Sequence, residues 1–376
     1  MKQGTHKIDI YLLIPVLLLI FFSIAVVYSA SSDYSLNKWN DASYMLKSHL
    51  IRVVLSLVVL FLFVKIDYRI IQGFSKFIIF GTIALLVIVL FTSSAVKNVN
   101  RWILLGPLSF QPSDLAKYAL IIYVSALLVR KEGYLGNLYK GYLPILLYVL
   151  VICGLVALQP NFSTATIIFG TSVLLMLTSE VKIKHIAFTI VSLFPIAVLF
   201  ILSKSYIRAR LENFAEYSST GTAQHQLTQA IIGLGNGGIL GVGSGNSVQK
   251  EFFLPESYGD FIFSILGEEY GFIGTVFVVA MFAIILIRGY KVVKNVDDPF
   301  GKYLAFGITT IIVSYAIVNM SVASGIFPTT GVPIPFISFG GTAMLFNSAA
   351  AGILINISSN KSRREMQPSV ITGGNL

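Results

Sequence analysis

Charge is scarce in this chain. Asp, Glu, Lys and Arg together make up 12% of its 376 residues, about half the share found in soluble domains, roughly 25%. A conventional solvated surface is therefore excluded. There is a single cysteine, Cys153, which rules out an internal disulfide and any cysteine-built metal site. Histidine is rare as well, four in all, and His225 stands alone in a polar stretch without metal-ligand spacing. Acids are outnumbered, 17 against 27 bases, a balance that would suit a nucleic-acid partner unless the bases are distributed for another reason.

What the chain has in abundance is apolar sequence, 55% of residues. Tyr11–Ala30, Leu50–Val64, Phe77–Val96, Leu115–Val129, Gly141–Pro160, Asn161–Ser179, Ile186–Ser203 and Tyr270–Ile287 read as membrane-spanning segments, most of them near the ~20 residues a crossing needs. Tyr303–Asn360 is too long for one crossing and is divided by the Pro- and Gly-rich "PTTGVPIPFISFGG" at 328–341. The predicted fold class is all-α, a polytopic integral membrane protein of about ten transmembrane helices, because lipid tolerates only helices and closed barrels. The first run exceeds the usual length of a signal-peptide core, so it is expected to remain as a span.

With ten spans both termini share a side. Seventeen bases fall in the short loops of that side (Lys2, Lys7, Lys65, Arg69, Lys76, Arg130, Lys131, Lys140, Lys182, Lys184, Arg288, Lys291, Lys294, Lys302, Lys361, Arg363, Arg364) and five opposite (Lys38, Lys47, Arg52, Lys97, Arg101). The positive-inside rule then makes both termini cytoplasmic. The basic excess is an orientation signal, and no nucleic-acid partner is expected. The longest connection, 204–259 between spans 7 and 8, is expected outside the membrane's cytoplasmic face. Its "YIRARLENFAEY" and "AQHQLTQAII" look helical, and loops of that length are usually functional or disordered. The membrane domain is expected over 1–357, followed by a disordered cytoplasmic tail at 358–376.

"GLGNGG" at 233–238 matches a dinucleotide fingerprint, but no strand precedes it and the motif needs its strand–turn–helix setting. No nucleotide is expected; the glycines read as a tight turn or a close backbone approach.

The acids of "FFLPESYGDFIFSILGEEYGFIGT" (252–275) pose the central question. Ionisable residues at membrane depth are functional hypotheses by default. Asp260, at the boundary, reads equally as a helix N-cap and as a catalytic base. Glu268 and Glu269 lie about two turns deeper and cannot share one partner; pairing with a basic residue within the bundle is favoured for them. Lys117 has Asp114 three residues before it, on the same helical face, with snorkelling as the alternative. Arg52 is best explained by snorkelling, and Arg101 could hold a phosphate or face water.

"VYSAS" (27–31), "NRW" (100–102), "QPSDLAK" (111–117), "QPNFSTA" (159–165), "HQLTQAIIGLGNGGILGVGSG", "QKEFFLPESYGDFIFSILGEEYGFIG" and "PTTGVPIPFISFGG" follow one another from near residue 9 to about 356. This series resembles the SEDS family of bacterial cell-wall polymerases, the FtsW/RodA/SpoVE group, with "VYSAS" and "DDPFGKYLAFGI" nearer the FtsW branch. The resemblance implies a peptidoglycan glycosyltransferase that polymerises lipid II at the outer face of the cytoplasmic (inner) membrane. It also implies a class B penicillin-binding transpeptidase and other division or elongation proteins as partners. Asp260 falls on the family's essential aspartate and would serve as general base in an inverting transfer forming β(1→4) bonds. Arg101, Lys250, Arg208, Arg210 and Gln226 are the expected substrate-binding residues, Lys117, Asp114, Glu268 and Glu269 the expected intramembrane network. The resemblance further suggests a divalent cation, Mg or Mn, without indicating its ligands. Two departures stand out: Asp114 where the family commonly has Glu, and Asn161 where it commonly has Asp, which leaves Asp114 or Glu268 to neutralise Lys117. A lipid II flippase, with Lys117, Glu268 and Glu269 marking its path, and a non-catalytic scaffold are the competing readings.

Overall fold

The computed structural model describes residues 8–91, 101–105, 108–220, 225–252 and 258–365. Eight helices are long and apolar enough to cross a membrane: α1 (Ile10–Trp39), α2 (Tyr44–Lys65), α3 (Tyr68–Phe91), α4 (Pro112–Arg130), α5 (Leu143–Leu158, entered through a π-helical turn at Leu138–Tyr142), α7 (Ile183–Ser203), α11 (Ile262–Asn295) and α12 (Pro299–Ala323). Two shorter apolar helices, α6 (Phe162–Leu177) and α13 (Ala343–Glu365), bring the set to ten, as the apolar runs predict. The only strands among the described residues are β1 (Ile103–Leu105) and β2 (Leu108–Phe110), an antiparallel pair before α4.

Burial runs against composition. α4 opens with Pro112, suited to a first turn whose N–H is unbonded, and 89% of its most apolar stretch is enclosed by the other helices. It carries Ser, Asp, Lys and Tyr side chains inward. α7 is more uniformly apolar, yet only 11% of its corresponding stretch is buried. In lipid the outside must be apolar, while polar groups survive only where protein surrounds them. α13 packs extensively along α2; its Ser, Ala and Gly residues at 348–352 let helices approach closely. α13 continues through the start of the expected tail to Glu365.

The two helical pieces expected in the 204–259 connection are present as α8 (Ser205–Thr220) and α9 (His225–Asn236), and α10 (Val248–Phe252) follows. The glycine segment after α9 makes the close approach expected of it. α11 is broken at Gly271 (φ 65°, ψ −161°), which frees backbone groups that an unbroken helix would pair internally. The connection supplies them. Val242 N–H donates to Glu268 O (2.9 Å) and Gly243 N–H to Glu269 O (3.1 Å), while Phe272 N–H donates to Gly238 O (2.9 Å). A Cβ on Gly237 would collide with the Gly267 carbonyl, and one on Gly241 with that of Glu269. The fingerprint-like glycines thus strap the connection onto the break in α11.

Candidate functional site

Asp260 sits two residues before α11, at the end of the bundle that carries this connection. The helix N-cap position is Phe261, one residue beyond Asp260. The backbone beneath Asp260 is held at three successive carbonyls. Tyr258 O accepts from Phe339 N–H (3.0 Å), Gly259 O from the Ser338 hydroxyl (2.9 Å), and Asp260 O from Asn319 Nδ2 (2.8 Å). Asn319, on α12, also donates to Val332 O (2.7 Å). The Pro/Gly-rich 328–341 segment therefore serves as the seat of the acidic motif. Its many Pro residues restrict it to conformations that such a fixed non-helical path needs.

The carboxylate faces a cavity of about 400 Å³ lined by Arg101, Trp102, Gln111, Asp114, Tyr258 and Tyr315, among others. A smaller pocket of about 110 Å³ adjoins it through Asp260 and Gly331 and adds Arg210, Gln226 and Asn319. Gly331 keeps the space between acid and base open: a Cβ there would lie 3.3 Å from Asp260 Oδ2 and 3.6 Å from the Arg210 guanidinium. Arg210 Nη1 is braced on Thr330 O (3.0 Å). Arg101 is fixed by the end of α5, donating from Nε to Gln159 O (2.9 Å) and from Nη2 to Pro160 O. Burial and the neighbouring Arg210 pull the Arg101 pKa below its ordinary value, while Tyr206 and Asp260 oppose that shift. Arginine stays charged throughout, so the adjoining cavities set Asp260 beside two fixed cations, with a second carboxylate, Asp114, on the wall.

A third, largely apolar groove of about 250 Å³ runs between α6, α7, α8 and residues 327–330, lined by Phe162, Ile167, Ile201, Ile207, Leu211 and Phe327. Arg210 lines this groove and the small polar pocket alike.

The structure thus brings Asp260, Arg101, Arg210 and Gln226 together, with Asp114 on the cavity wall. Arg208, two residues from Arg210 on α8, is exposed and lies outside these linings. Lys250, expected to contact substrate, also lies outside these linings. Its side chain is 2% exposed, with Nζ 3.4 Å from Glu269 Oε1, 3.8 Å from Asp33 Oδ2 and 2.8 Å from Gly245 O. The strap folds the Lys250 side chain back onto Glu269. Glu269 also accepts from Ser29, and Glu268 accepts from Ser247. The pairing expected for one of the two glutamates is the one observed. Lys250→Met should destabilise the protein by about 3–5 kcal/mol, the usual cost of stranding a buried charge, read as a fall in thermal unfolding temperature in detergent. Lys250→Met combined with Glu269→Gln should recover most of that loss.

Lys117 does not snorkel. It is 1% exposed, with Nζ 3.6 Å from Asp114 Oδ1 and over the Tyr315 ring at 4.4 Å. Asp114, not Glu268, is its neutralising partner, and Thr342 donates to the other Asp114 oxygen (3.4 Å). Asn161, in place of the commoner acid, bonds Ser113 (3.2 Å). Arg52 corrects the snorkelling expectation too: it is 5% exposed and lies 4.3 Å over the ring of Phe339, itself on the cavity wall. His49 at i−3, equally buried, was the available signal of an inward polar face. Tyr258, Tyr315, Asn319 and Phe339 line these cavities and were not singled out by sequence reasoning, since each is an ordinary residue until the chain folds around Asp260.

A polytopic helical bundle with Asp260 and Arg101 in a cavity at one end, Arg210 in the pocket that adjoins it and an apolar groove alongside defines a class: an integral membrane protein with a charged cavity at one end of its bundle. The chain belongs to the FtsW/RodA/SpoVE family of cell cycle proteins, whose model matches residues 10–363. It is 34% identical to a probable peptidoglycan glycosyltransferase FtsW of Geobacter metallireducens, over 94% of this chain and 95% of that one. It is 31% identical to stage V sporulation protein E of Bacillus subtilis, over 93% and 96%. Among solved structures it resembles a chain from a peptidoglycan synthase complex that coordinates polymerization and crosslinking (TM-score 0.76) and the rod shape determining protein RodA of Thermus thermophilus (TM-score 0.70). Both are 22% identical, with 94% of this chain and 98% of each covered.

Proposed function

We propose that this protein is a peptidoglycan glycosyltransferase that polymerises lipid II at the outer face of the cytoplasmic membrane. The observation that carries the reading is the pair of adjoining cavities that set Asp260 with Arg101 on one side and Arg210 on the other, and their continuity, through Arg210, with an apolar groove. A transferase working outside the cytoplasm has no nucleotide sugars and needs a donor activated on a lipid. Polyprenyl pyrophosphate is such a leaving group. Its tail suits the groove and its charge suits the two guanidiniums, which are fixed in advance where negative charge develops. What remains to be supplied is a base. Asp260 takes the proton from the acceptor sugar's 4-hydroxyl as that oxygen attacks the donor's anomeric carbon. The carbon–oxygen bond to pyrophosphate breaks as the new bond forms, so an α-linked donor gives a β(1→4) product with inversion. Gln226 and Asn319 line the same pocket and can hold sugar hydroxyls.

The described residues do not fit a divalent cation held by protein alone. The cavity's two carboxylates are each committed beside cations, Asp260 near Arg101 and Arg210, Asp114 against Lys117. No group of three or more His, Cys, Asp or Glu suited to a metal occurs among the described residues. No step is assigned to a metal here.

The distribution of basic residues supports cytoplasmic termini, and the solved neighbour's place in a synthase complex that coordinates polymerization and crosslinking supports a crosslinking transpeptidase as partner. The flippase reading is weakened because Lys117, Glu268 and Glu269, its proposed path, are locked in buried pairs and hydrogen bonds. The test is purified protein in detergent with lipid II and a cognate transpeptidase. Glycan polymer formed without a membrane is the expected result; none under those conditions overturns the reading.

A further inference from the structure

From the cavity an unbroken row of aromatic rings leads outward. Tyr258, on the cavity wall, meets Phe339 on one side (5.6 Å between ring centroids) and Tyr34 on the other (5.3 Å). Tyr34 then meets Trp39 (5.7 Å), and Trp39 stacks on Tyr44 at 4.4 Å with the planes 18° apart. The last three are 38%, 37% and 47% exposed, so this is not core packing. Lys38 lies over Tyr34 and Trp39, its Nζ 5.3 and 4.7 Å from their centroids. The turn between α1 and α2 that sets Trp39 against Tyr44 is firmly built. Asn40 is left-handed (φ 55°), and Asp41 accepts from the Ser43 N–H (2.9 Å) and pairs with Lys47 (2.8 Å).

We propose that Tyr258, Tyr34, Trp39 and Tyr44, with Lys38, form a saccharide track that receives the growing glycan as it leaves the cavity. The inference rests on the reading of the site as a glycan polymerase and adds where its product is held. Aromatic rings present a negative face, and the ring faces of a pyranose present C–H groups made partly positive by the oxygens beside them. Trp and Tyr offer such faces at little entropic cost, having only two side-chain torsions. A sugar takes the place of the Lys38 ammonium over the rings, and the released ammonium donates to sugar hydroxyls or to carboxylates of the strand's substituents. Interfacial aromatics that merely anchor a membrane protein are found at the bilayer surfaces as belts. Here the rings touch in one line, and that line enters the cavity. The chain's only other tryptophan, Trp102, is on the cavity wall.

Two measurements test the track. With Trp102→Phe, Trp39 becomes the sole tryptophan, and its emission should shift saturably as short lipid-free peptidoglycan glycan strands are added. Adding Tyr44→Ala should abolish that response. In the polymerisation assay, Trp39→Ala with Tyr44→Ala should shorten the product several-fold while the first glycosidic bond forms at the native rate. Trp39→Phe with Tyr44→Phe, which keeps the rings, should restore native length and guards against a folding defect. Emission that does not respond to glycan, or product length unchanged in the double alanine variant, overturns the track even where the native protein polymerises. A native protein that binds glycan through Trp39 yet makes no polymer overturns the polymerase reading and leaves the track in place.

Discussion

Asp260→Asn should lower the rate of glycan polymerisation by at least about a hundredfold, the lower end of what general base catalysis contributes. The substitution is nearly isosteric, and the contacts that seat this stretch are made to backbone carbonyls at 258–260. Thermal stability and lipid II binding should therefore be close to native, separating loss of chemistry from loss of fold. Asp260→Glu should retain partial activity, because the longer side chain keeps the proton acceptor but moves it within a cavity shaped by Gly331 and the arginines. Lipid II consumption and polymer length on a gel measure both. An Asp260→Asn protein that polymerises at the native rate would remove the base from residue 260.

The second large effect is expected far from any reacting atom. Gly241→Val should detach the connection from α11. Residue 241 has φ 83°, a conformation that a β-branched residue reaches only under strain. Its Cβ would also meet the Glu269 carbonyl. Strain of about 1–3 kcal/mol and overpacking of similar size act on the strap that satisfies the broken helix and carries Lys250 to Glu269. Lower unfolding temperature in detergent, faster amide exchange at 238–243 and loss of polymerisation should appear together. Gly235→Val is the control, since Gly235 lies within α9 with open space at its Cβ, and should leave stability unchanged or raise it by a few tenths of a kcal/mol, roughly the helix-propensity gain of valine over glycine. Equal behaviour of the two variants would mean that the strap is not what orders this region.

Little of the fold was hidden. Apolar runs announced ten helices because lipid leaves few alternatives for a buried backbone. The helical pieces at 206–217 and 223–232 were visible as periodic polar sequence and are α8 and α9. The site was legible in part. Asp260 was named from a motif, Arg101 and Arg210 as cations on the outer face, and with Gln226 they converge. Lys250 and Arg208 were named as cations on the same face and do not join them, since a charge's place along the chain does not say which way its side chain turns. Arg52 shows the same limit from the other side. A cation near a span end can snorkel or turn inward, and nothing local chooses between them; the neighbours on α13 and Phe339 do.

Composition and spacing alone determined that the chain lives in a membrane, how often it crosses, and that an acid stands at the start of the eighth crossing. These follow from the transfer of each residue between water and lipid, a property of the residue itself. Only the tertiary structure decided that Asp260 lies in adjoining cavities with two arginines, that Arg210 is braced on Thr330, and that the glycines after α9 close over a break in α11. Each of those depends on hydrogen bonds and charge pairs between segments tens to hundreds of residues apart, whose geometry exists only once the helices have packed.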